Sequence, residues 1–546
     1  MKQKQSRFDV MIAGCGPSGV TLANLLGMRG FSVAILDREN DVYDKPRAIT
    51  ADHEVMRIFQ ECGLSEEISR NTIPHPGTDY IGLENQVIKR FYPAPAPHAL
   101  SWEPTWMFVQ PELEASLRQG LQRFENVHTF LGHELVDFKQ DNGEVIATVK
   151  EVATGDSFGI TGRYLVACDG GRSTVRRLLR STIEDLAFDE WWIVIDAWLR
   201  GDIELPTKAT QYCHPWRPGS FIIGPGDLRR WEIKMLPGET PESLELDDAA
   251  LSVLAHFVDT TKIELYRKAV YRFHALVVDE WRHGNVFLMG DAAHQTPPFL
   301  GQGLCAGVRD AANLAWKLEG VERHGYNRAL LDTYTEERKP HVRTVVAHAK
   351  SFGLIIGEMD IDAARERDRR LGAELASGKA EIIRQKFIPG LEAGVIHRHK
   401  DGSLAPGAGD IFVQPWVRSG DGFARLDDLV GPSFVLIATS LDALSWTDEQ
   451  SRQALQQLGC RLVLVDGGST SPGDLQVLHV QEQDGLVAAW FQRWTARIAL
   501  VRPDHYVYGC ANDPKSLNEL VMGLAKALFG HQQGELSSKP VAAMVS

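Results

Sequence analysis

Cysteine is scarce in this 546-residue chain, and its spacing serves no obvious chemistry. The seven cysteines (Cys15, Cys62, Cys168, Cys213, Cys305, Cys460 and Cys510) are scattered, and no C-x-x-C occurs. That argues against a zinc site or a dithiol redox centre and leaves them as small buried hydrophobes, with no metal expected. Positive charge is also short: 58 basic residues stand against 72 acidic ones, a formal charge of −14. Nonspecific nucleic-acid binding is disfavoured, with only a local basic patch left open. No apolar run is long enough to span a bilayer. Lys2, Lys4 and Arg7 precede an apolar segment in the manner of a signal peptide, but Gly14 to Gly19 interrupt it, so a cytoplasmic location is expected. There is no internal repeat and no low-complexity tract. The length fits two or three domains.

What is present begins at the N-terminus. Phe8 to Ala13 reads as a buried strand, Gly14-Cys15-Gly16-Pro17-Ser18-Gly19 as a turn, Val20 to Met28 as a helix, and Ser32 to Leu36 as a second strand ending in Asp37 and Arg38. This is the βαβ dinucleotide fingerprint. Gly14 permits the tight turn, Gly16 lets a pyrophosphate approach the backbone, Gly19 lets helix and strand pack, and Asp37 reaches ribose hydroxyls. A second site for a similar ligand lies far downstream. There an apolar strand from Val286 to Met289 runs into Gly290-Asp291, a turn with Pro297, Pro298, Gly301, Gln302 and Gly303, and a helix from about Leu304. The positive end of that helix faces whatever the turn holds, and Asp291 is placed for a ribose or ribityl hydroxyl. Between the two, Cys168-Asp169-Gly170-Gly171-Arg172-Ser173 sets an acid at a strand end and opens a helix, which Ser173 would cap.

The remaining pattern is mixed. A helix-like stretch runs from Asp52 to Cys62, and another from Glu112 to Phe124 behind Gln110-Pro111. Residues 133–167 alternate as hairpins around Asn142-Gly143 and Thr154-Gly155. Residues 186–279 read as an inserted antiparallel sheet with a helical patch near Asp247 to Val258. From about Asp401 the order is strand, helix, three strands and a helix.

The three motifs, in this order and at these separations, resemble the class A flavoprotein aromatic hydroxylases, with the p-hydroxybenzoate hydroxylase fold, over residues 8–350. The C-terminal unit, with Leu500-Val501-Arg502-Pro503-Asp504, resembles the extra domain of the phenol hydroxylase branch. Val166 to Gly171, Arg229-Arg230-Trp231-Glu232, Met235 to Thr240 and Asn313 to Leu318 are most similar to the 3-(3-hydroxyphenyl)propionate hydroxylases. The resemblance implies α/β architecture plus an antiparallel sheet. A Rossmann-like FAD-binding domain (1–185 and 280–350, with 73–105 on the substrate side) would carry an inserted substrate-binding β-sheet domain (186–279). A helical connection (351–400) and a thioredoxin-like domain without redox cysteines (401–546) would follow.

It also implies the chemistry: NADH or NADPH reduces FAD, and O2 then hydroxylates a phenol ortho to its hydroxyl through a flavin hydroperoxide. The best candidate substrate is 3-(3-hydroxyphenyl)propionate or a related phenolic acid. Gly14, Gly16, Pro17, Ser18, Gly19, Asp37 and Arg38 would cradle one end of FAD. Arg47, Gln110, Asp169, Gly290 and Asp291 would contact it elsewhere, and Pro298 with Gly301, Gln302, Gly303 and Leu304 would line the flavin ring. Some relatives place His directly after Pro-Arg-Ala, where this chain has Ile49 behind Pro46-Arg47-Ala48. The catalytic candidates are therefore Arg47, Asp52 and His53, with Asp52 equally readable as a helix cap. Tyr212, His214, Arg217, Arg230 and Pro298 are substrate-binding candidates. A homodimer stays open, as do a polyketide- or antibiotic-modifying monooxygenase and a non-oxygenase FAD-dependent reductase. An NAD-dependent dehydrogenase would leave Asp169 and Asp291 unexplained.

Overall fold

The computed structural model describes residues 7–44, 47–419, 422–467 and 476–530; Lys2, Lys4 and Pro46 lie outside them. The first sheet is built on the strand Arg7–Ala13, whose residues are largely buried on both faces, as parallel strands in α/β folds are. Its parallel neighbours run in the order Val286–Leu288, Ser157–Ala167, Arg7–Ala13, Val33–Asp37, Val127–Leu131. The helices Pro17–Met28 and Gly303–Arg323 pack on each other beside it. His133–Asp141 and Glu144–Glu151 form an antiparallel hairpin next to Ser157–Ala167. It turns at Asn142 (φ 49°) and Gly143 (φ 80°), the positive values a tight hairpin turn needs.

The second sheet has eight strands and is built around the long antiparallel pair Ile183–Leu199 and Ile263–Val278. Leu228–Lys234, Gly219–Ile223 and Ala209–Tyr212 follow, and Thr78–Ile81 with Val87–Phe91 join the far edge. Pleating divides its faces. Ile193, Ile195, Trp231 and Ile233 pack on Leu244, Val253 and Leu254 from the helices Pro241–Leu244 and Asp247–Leu254. Residues of opposite parity, among them Val194, Gln211, Ser220, Arg230 and Glu232, line the cavity described below.

The seven-stranded C-terminal sheet runs Gly422–Arg425, Trp416–Ser419, Val477–Glu482, Arg461–Val465, Val435–Ala438, Ile498–Val501, Val507–Ala511; Val477–Glu482, Arg461–Val465 and Val435–Ala438 are mutually parallel and the other neighbours pair antiparallel. The strand Val477–Glu482 and the helix Leu486–Trp494 add to the order expected from sequence. That helix starts behind Gly485, which gives no N-cap signal; the Glu482 carboxylate accepts the Val487 and Ala488 N–H groups instead, at 2.8 and 3.0 Å. Between the two large units, the helix Thr333–Ile356 runs past residue 351, and Ile361–Ala376 follows it. No helix among the described residues is long and apolar enough to cross a membrane.

A buried ion cluster joins the C-terminal unit to the first. Arg502 donates to Glu337 at 2.8 and 3.0 Å and to Asp504 at 2.6 and 2.9 Å. Lys317 stands 2.9 Å from Glu337, and Asn313 and Trp316 each donate to Asp504 at 3.0 Å. Although burial opposes ionisation, Arg502 and Lys317 hold the Glu337 carboxyl far below the usual carboxylate range. Removing one partner strands the other charges away from water. Arg502→Ala is expected to cost about 3–5 kcal/mol in denaturant unfolding; an unchanged midpoint would show that the cluster does not hold the two units together.

Candidate active site

Ala13, Asp37, Ala167 and Leu288 end neighbouring parallel strands, so the three sequence motifs and Asp37 leave the sheet at one edge. Ligands of open α/β sheets bind at such an edge, outside the carboxyl ends of the strands. Here it opens on a cavity of about 1370 Å³, which extends across one face of the second sheet.

The glycines of the first motif divide their work. A Cβ on Gly14 (φ +106°) would stand 2.2 Å from the Cys168 carbonyl oxygen, and one on Gly19 would stand 2.1 Å from that of Gly14. Both are packing positions. A Cβ on Gly16 would meet nothing within 4 Å, so that backbone faces open space. Pro17 takes the first helical position, where its missing N–H costs nothing. Asp37 is held facing the turn: it accepts the Cys15 N–H at 2.7 Å and the Glu39 N–H at 2.9 Å.

The second motif is braced from behind. Fully buried Asp310 accepts from the Gly290 N–H (3.2 Å) and from Arg338 (2.8 Å), and pairs with His294 (2.8 Å). Burial opposes its charge, but Arg338 and His294 outweigh burial and hold the carboxyl below its usual range. The braced turn presents Asp291 to the cavity. Cβ atoms on Gly290 and Gly307 would come within 2.7 and 2.1 Å of the Ser18 hydroxyl, so Ser18 also fixes how closely the two helices approach.

In the third motif, one oxygen of Asp169 accepts the N–H groups of Thr174 (2.7 Å) and Val175 (3.2 Å), and Ser173 caps the same helix. Burial pushes the Asp169 carboxyl up. Its other oxygen is buried without a hydrogen-bond partner, as are Gln110 Oε1 and Thr296 Oγ1, and all three residues line the cavity. Neither Gly16 nor Gln302 caps its helix with a side chain, so both helix starts keep free N–H groups. Open backbone at Gly16, free helix starts and unpartnered acceptors suit a long, polar, diphosphate-bearing ligand. FAD fits this set: Gly16 and Asp37 could hold its nucleotide end, and Asp291 and the Pro298–Leu304 turn could hold its flavin end.

Known proteins agree. Residues 7–349 match the family model described as FAD binding domain, and residues 409–527 match the HcaD C-terminal domain. The chain belongs to this FAD-binding family of aromatic monooxygenases. A 3-(3-hydroxy-phenyl)propionate/3-hydroxycinnamic acid hydroxylase of Burkholderia cenocepacia is 33% identical over 92% of this chain and 94% of its own. A probable NADH-specific resorcinol 4-hydroxylase of Rhodococcus jostii is 34% identical over 95% and 94%. Among solved structures, the flavin-dependent monooxygenase PieE with FAD and substrate superposes with a TM-score of 0.78 at 21% identity. That match covers 96% of this chain and 99% of PieE.

Set in this monooxygenase fold, several sequence candidates move. Asp52 and His53 do not line the cavity. Asp52 caps the helix His53–Glu61 by accepting the Val55 N–H, and it is paired with Arg309. Burial is outweighed by Arg309, which holds its carboxyl low. Burial pushes the His53 imidazole down to about 4, which leaves it neutral and enclosed. Gln302 turns inward as well, donating to Asp52 and accepting from Arg309. Glu54 extends the cluster, pairing with Arg309 and accepting from Tyr506 of the C-terminal unit at 2.8 Å. Gly19 and Gly290 support the turns from outside the cavity. On the second sheet, Tyr212 packs on Phe257, His214 stacks on Trp216, and Arg217 pairs with Glu239; none of the three lines the cavity. Pleat parity explains Tyr212: its neighbour Gln211 faces in.

Gly14, Gly16, Pro17, Ser18, Asp37, Arg38, Arg47, Gln110, Asp169, Arg230, Asp291, Pro298, Gly301, Gly303 and Leu304 do line the cavity. Arg47 lies 4.3 Å over the Tyr43 ring. Burial opposes its charge, and Asp291 with its other neighbours outweighs burial. Glu114 and Arg118 line the cavity too, on the face of Gln110–Gly120 that Gln110 begins. Their spacing of four was the available signal. Glu232 was missed as a site residue. It is buried beside Arg230, whose guanidinium is bound to Asp196 at 2.6 and 3.0 Å and stands 3.8 Å from Glu232. Burial pushes the Glu232 carboxyl up to about 7.

Gly16→Val should fold, because its side chain enters open space, yet weaken FAD by about tenfold or more. Gly14→Val should fail to fold. Far-UV circular dichroism and flavin fluorescence measure the two effects. A Gly16→Val protein that binds FAD like its parent would contradict the assignment.

Proposed function

We propose that this monooxygenase hydroxylates a phenolic acid of the 3-(3-hydroxyphenyl)propionate type next to its hydroxyl, using FAD, O2 and a nicotinamide donor. The observation that carries the reading is Glu232, a buried carboxyl that shares one cavity with the Pro298–Leu304 turn and whose proton leaves near neutral pH. A phenol becomes an effective nucleophile when an acceptor takes its proton, and a base is most useful when it titrates near the working pH. Bound FAD supplies electron transfer and oxygen transfer. The chain's own groups do the rest. Glu232 accepts the phenol proton. Arg230, tied to Asp196, stays too far to quench Glu232 by direct hydrogen bonding. The free N–H groups at the start of Gly303–Arg323 favour negative charge over the turn. Tyr80, Phe91, Phe273 and Phe299 give the substrate end an apolar wall that excludes water.

The sequence relatives named for small phenols support this substrate size over a polyketide. The C-terminal strand order, with a parallel set continued by two antiparallel strands, supports a thioredoxin-like unit. Its Cys460 and Cys510 are separate free thiols, consistent with a structural role.

Phenol-dependent oxidation of NADH or NADPH by FAD-loaded protein tests the reaction. The rate should rise with 3-(3-hydroxyphenyl)propionate and stay basal with 3-phenylpropionate. Glu232→Gln should lower kcat by roughly 10²-fold and abolish the rise in kcat/KM through about pH 7. The stability sign is opposite. A carboxyl whose folded value is raised contributes its full stability below its ordinary value of 4.5, and that contribution is lost as the pH rises from there through about 7. Glu232→Gln should therefore melt no lower than the parent in mildly alkaline buffer. A mutant with the parental pH profile would rule Glu232 out as the acceptor.

A further inference from the structure

Among the described residues the buried arginines are matched with acids, as Arg230 is with Asp196, Arg309 with Asp52 and Glu54, Arg338 with Asp310, and Arg502 with Glu337 and Asp504. Arg384 differs. It lines the cavity but makes no ion pair among the described residues. One of its amino groups donates to the Leu300 carbonyl at 2.6 Å, and the other meets His75 Nε2 at 3.4 Å.

That second contact sets donor against donor. His75 Nδ1 accepts the Gly77 N–H at 3.0 Å. Burial, reinforced by the charge of Arg384, keeps the ring neutral. A neutral imidazole that accepts at Nδ1 carries its proton on Nε2. The Nε2–H and the Arg384 N–H groups then converge with no acceptor between them. An arginine fork beside a second donor is the geometry that holds a carboxylate.

The receptor is also fixed in place. The Arg384 backbone N–H donates to the Tyr92 carbonyl at 3.1 Å, and Gln385 donates to Pro104 and Thr105 at 2.9 Å. Gly301 leaves room for it: a Cβ there, at φ +61°, would stand 2.7 Å from the guanidinium. Arg384 thus adjoins the turn assigned to the flavin, in the cavity that also holds Glu232.

We infer that Arg384 and His75 bind the side-chain carboxylate of the substrate and so select phenolic acids over neutral phenols. The inference rests on the phenolic-acid reading above and gives that reading its specificity residues. A carboxylate between them would supply the acceptor that both donors lack.

The test is equilibrium binding to FAD-loaded protein, read by perturbation of the flavin spectrum. The ligands are 3-phenylpropionate, which has the carboxylate and no hydroxyl, and 3-propylphenol, which has the hydroxyl and no carboxylate. Arg384→Gln, which can keep the bond to Leu300, and Arg384→Met should each weaken 3-phenylpropionate by about 10- to 100-fold, the worth of hydrogen bonds to a charged group. Binding of 3-propylphenol should hold. His75→Phe should weaken the acid by a smaller factor. Retained FAD content shows that each variant is folded. Equal losses for both ligands, or unchanged binding of the acid, would overturn the inference. Because 3-phenylpropionate cannot react as a phenol, an Arg384-dependent acid site in a protein that never oxygenates 3-(3-hydroxyphenyl)propionate would support the receptor and sink the reaction.

Discussion

The strands Val286–Leu288, Ser157–Ala167, Arg7–Ala13 and Val33–Asp37 lie parallel and adjacent, so all four chain segments turn out of the sheet at the same edge. Parallel pairing forces their connections to be long, and those connections carry most of the elements that precede Val286–Leu288. The connection between Ser157–Ala167 and Val286–Leu288 carries five of the eight strands of the second sheet, which returns to the cavity as its far wall. Because the backbone leaves each strand at the same level, Gly16, Asp37, Asp169 and Asp291 face one space although they stand far apart in sequence. Close packing behind that edge admits no side chain at Gly14 or Gly19, and the Asp310 cluster holds the turn at Gly290.

The polar interior is organised in two ways with opposite consequences. At Asp310, Arg309 and Arg502 charges are paired with opposite charges, and they fix one backbone arrangement against another. The Arg309 cluster reaches from Gln302 in the Pro298–Leu304 turn to Tyr506 in the C-terminal unit, so that unit packs against the same scaffold that shapes the cavity. At Glu232, Arg384 and His75 the pairing is left incomplete, and each of these residues lines the cavity. Incompletely paired polar groups in a low-dielectric site cost free energy, and here they coincide with the positions where a ligand would supply what is missing.

The cofactor edge was legible in the sequence because glycine at a forced turn, and an acid at a strand end, are local signals. The substrate wall was harder to read. Tyr212 and Gln211 differ only in pleat parity, and parity depends on where a strand begins. Asp52 and His53 follow Arg47 closely in sequence, but the helix they open buries Asp52 against Arg309 and keeps His53 off the cavity. Glu232 stands in a run of alternating charge that reads as an exposed strand until the second sheet is laid over the first. Arg384 lies in a short turn beyond the long helices, and only its return to Tyr92 and Leu300 brings it to the cavity. The helix Leu486–Trp494 escaped because glycine takes its N-cap position and its cap comes from Glu482, at the end of the preceding strand. Local chemistry was readable; burial and long-range placement were not.

The central claim is that this one cavity holds FAD and a phenolic acid together and moves an oxygen atom from O2 to the ring. The most direct measurement is a single reaction of FAD-loaded protein with NADH or NADPH and 3-(3-hydroxyphenyl)propionate under 18O2, with the product analysed by mass spectrometry. The account predicts a ring-hydroxylated acid carrying one heavy oxygen. A product with oxygen drawn from water, or donor oxidation that yields only peroxide from this substrate, would contradict it.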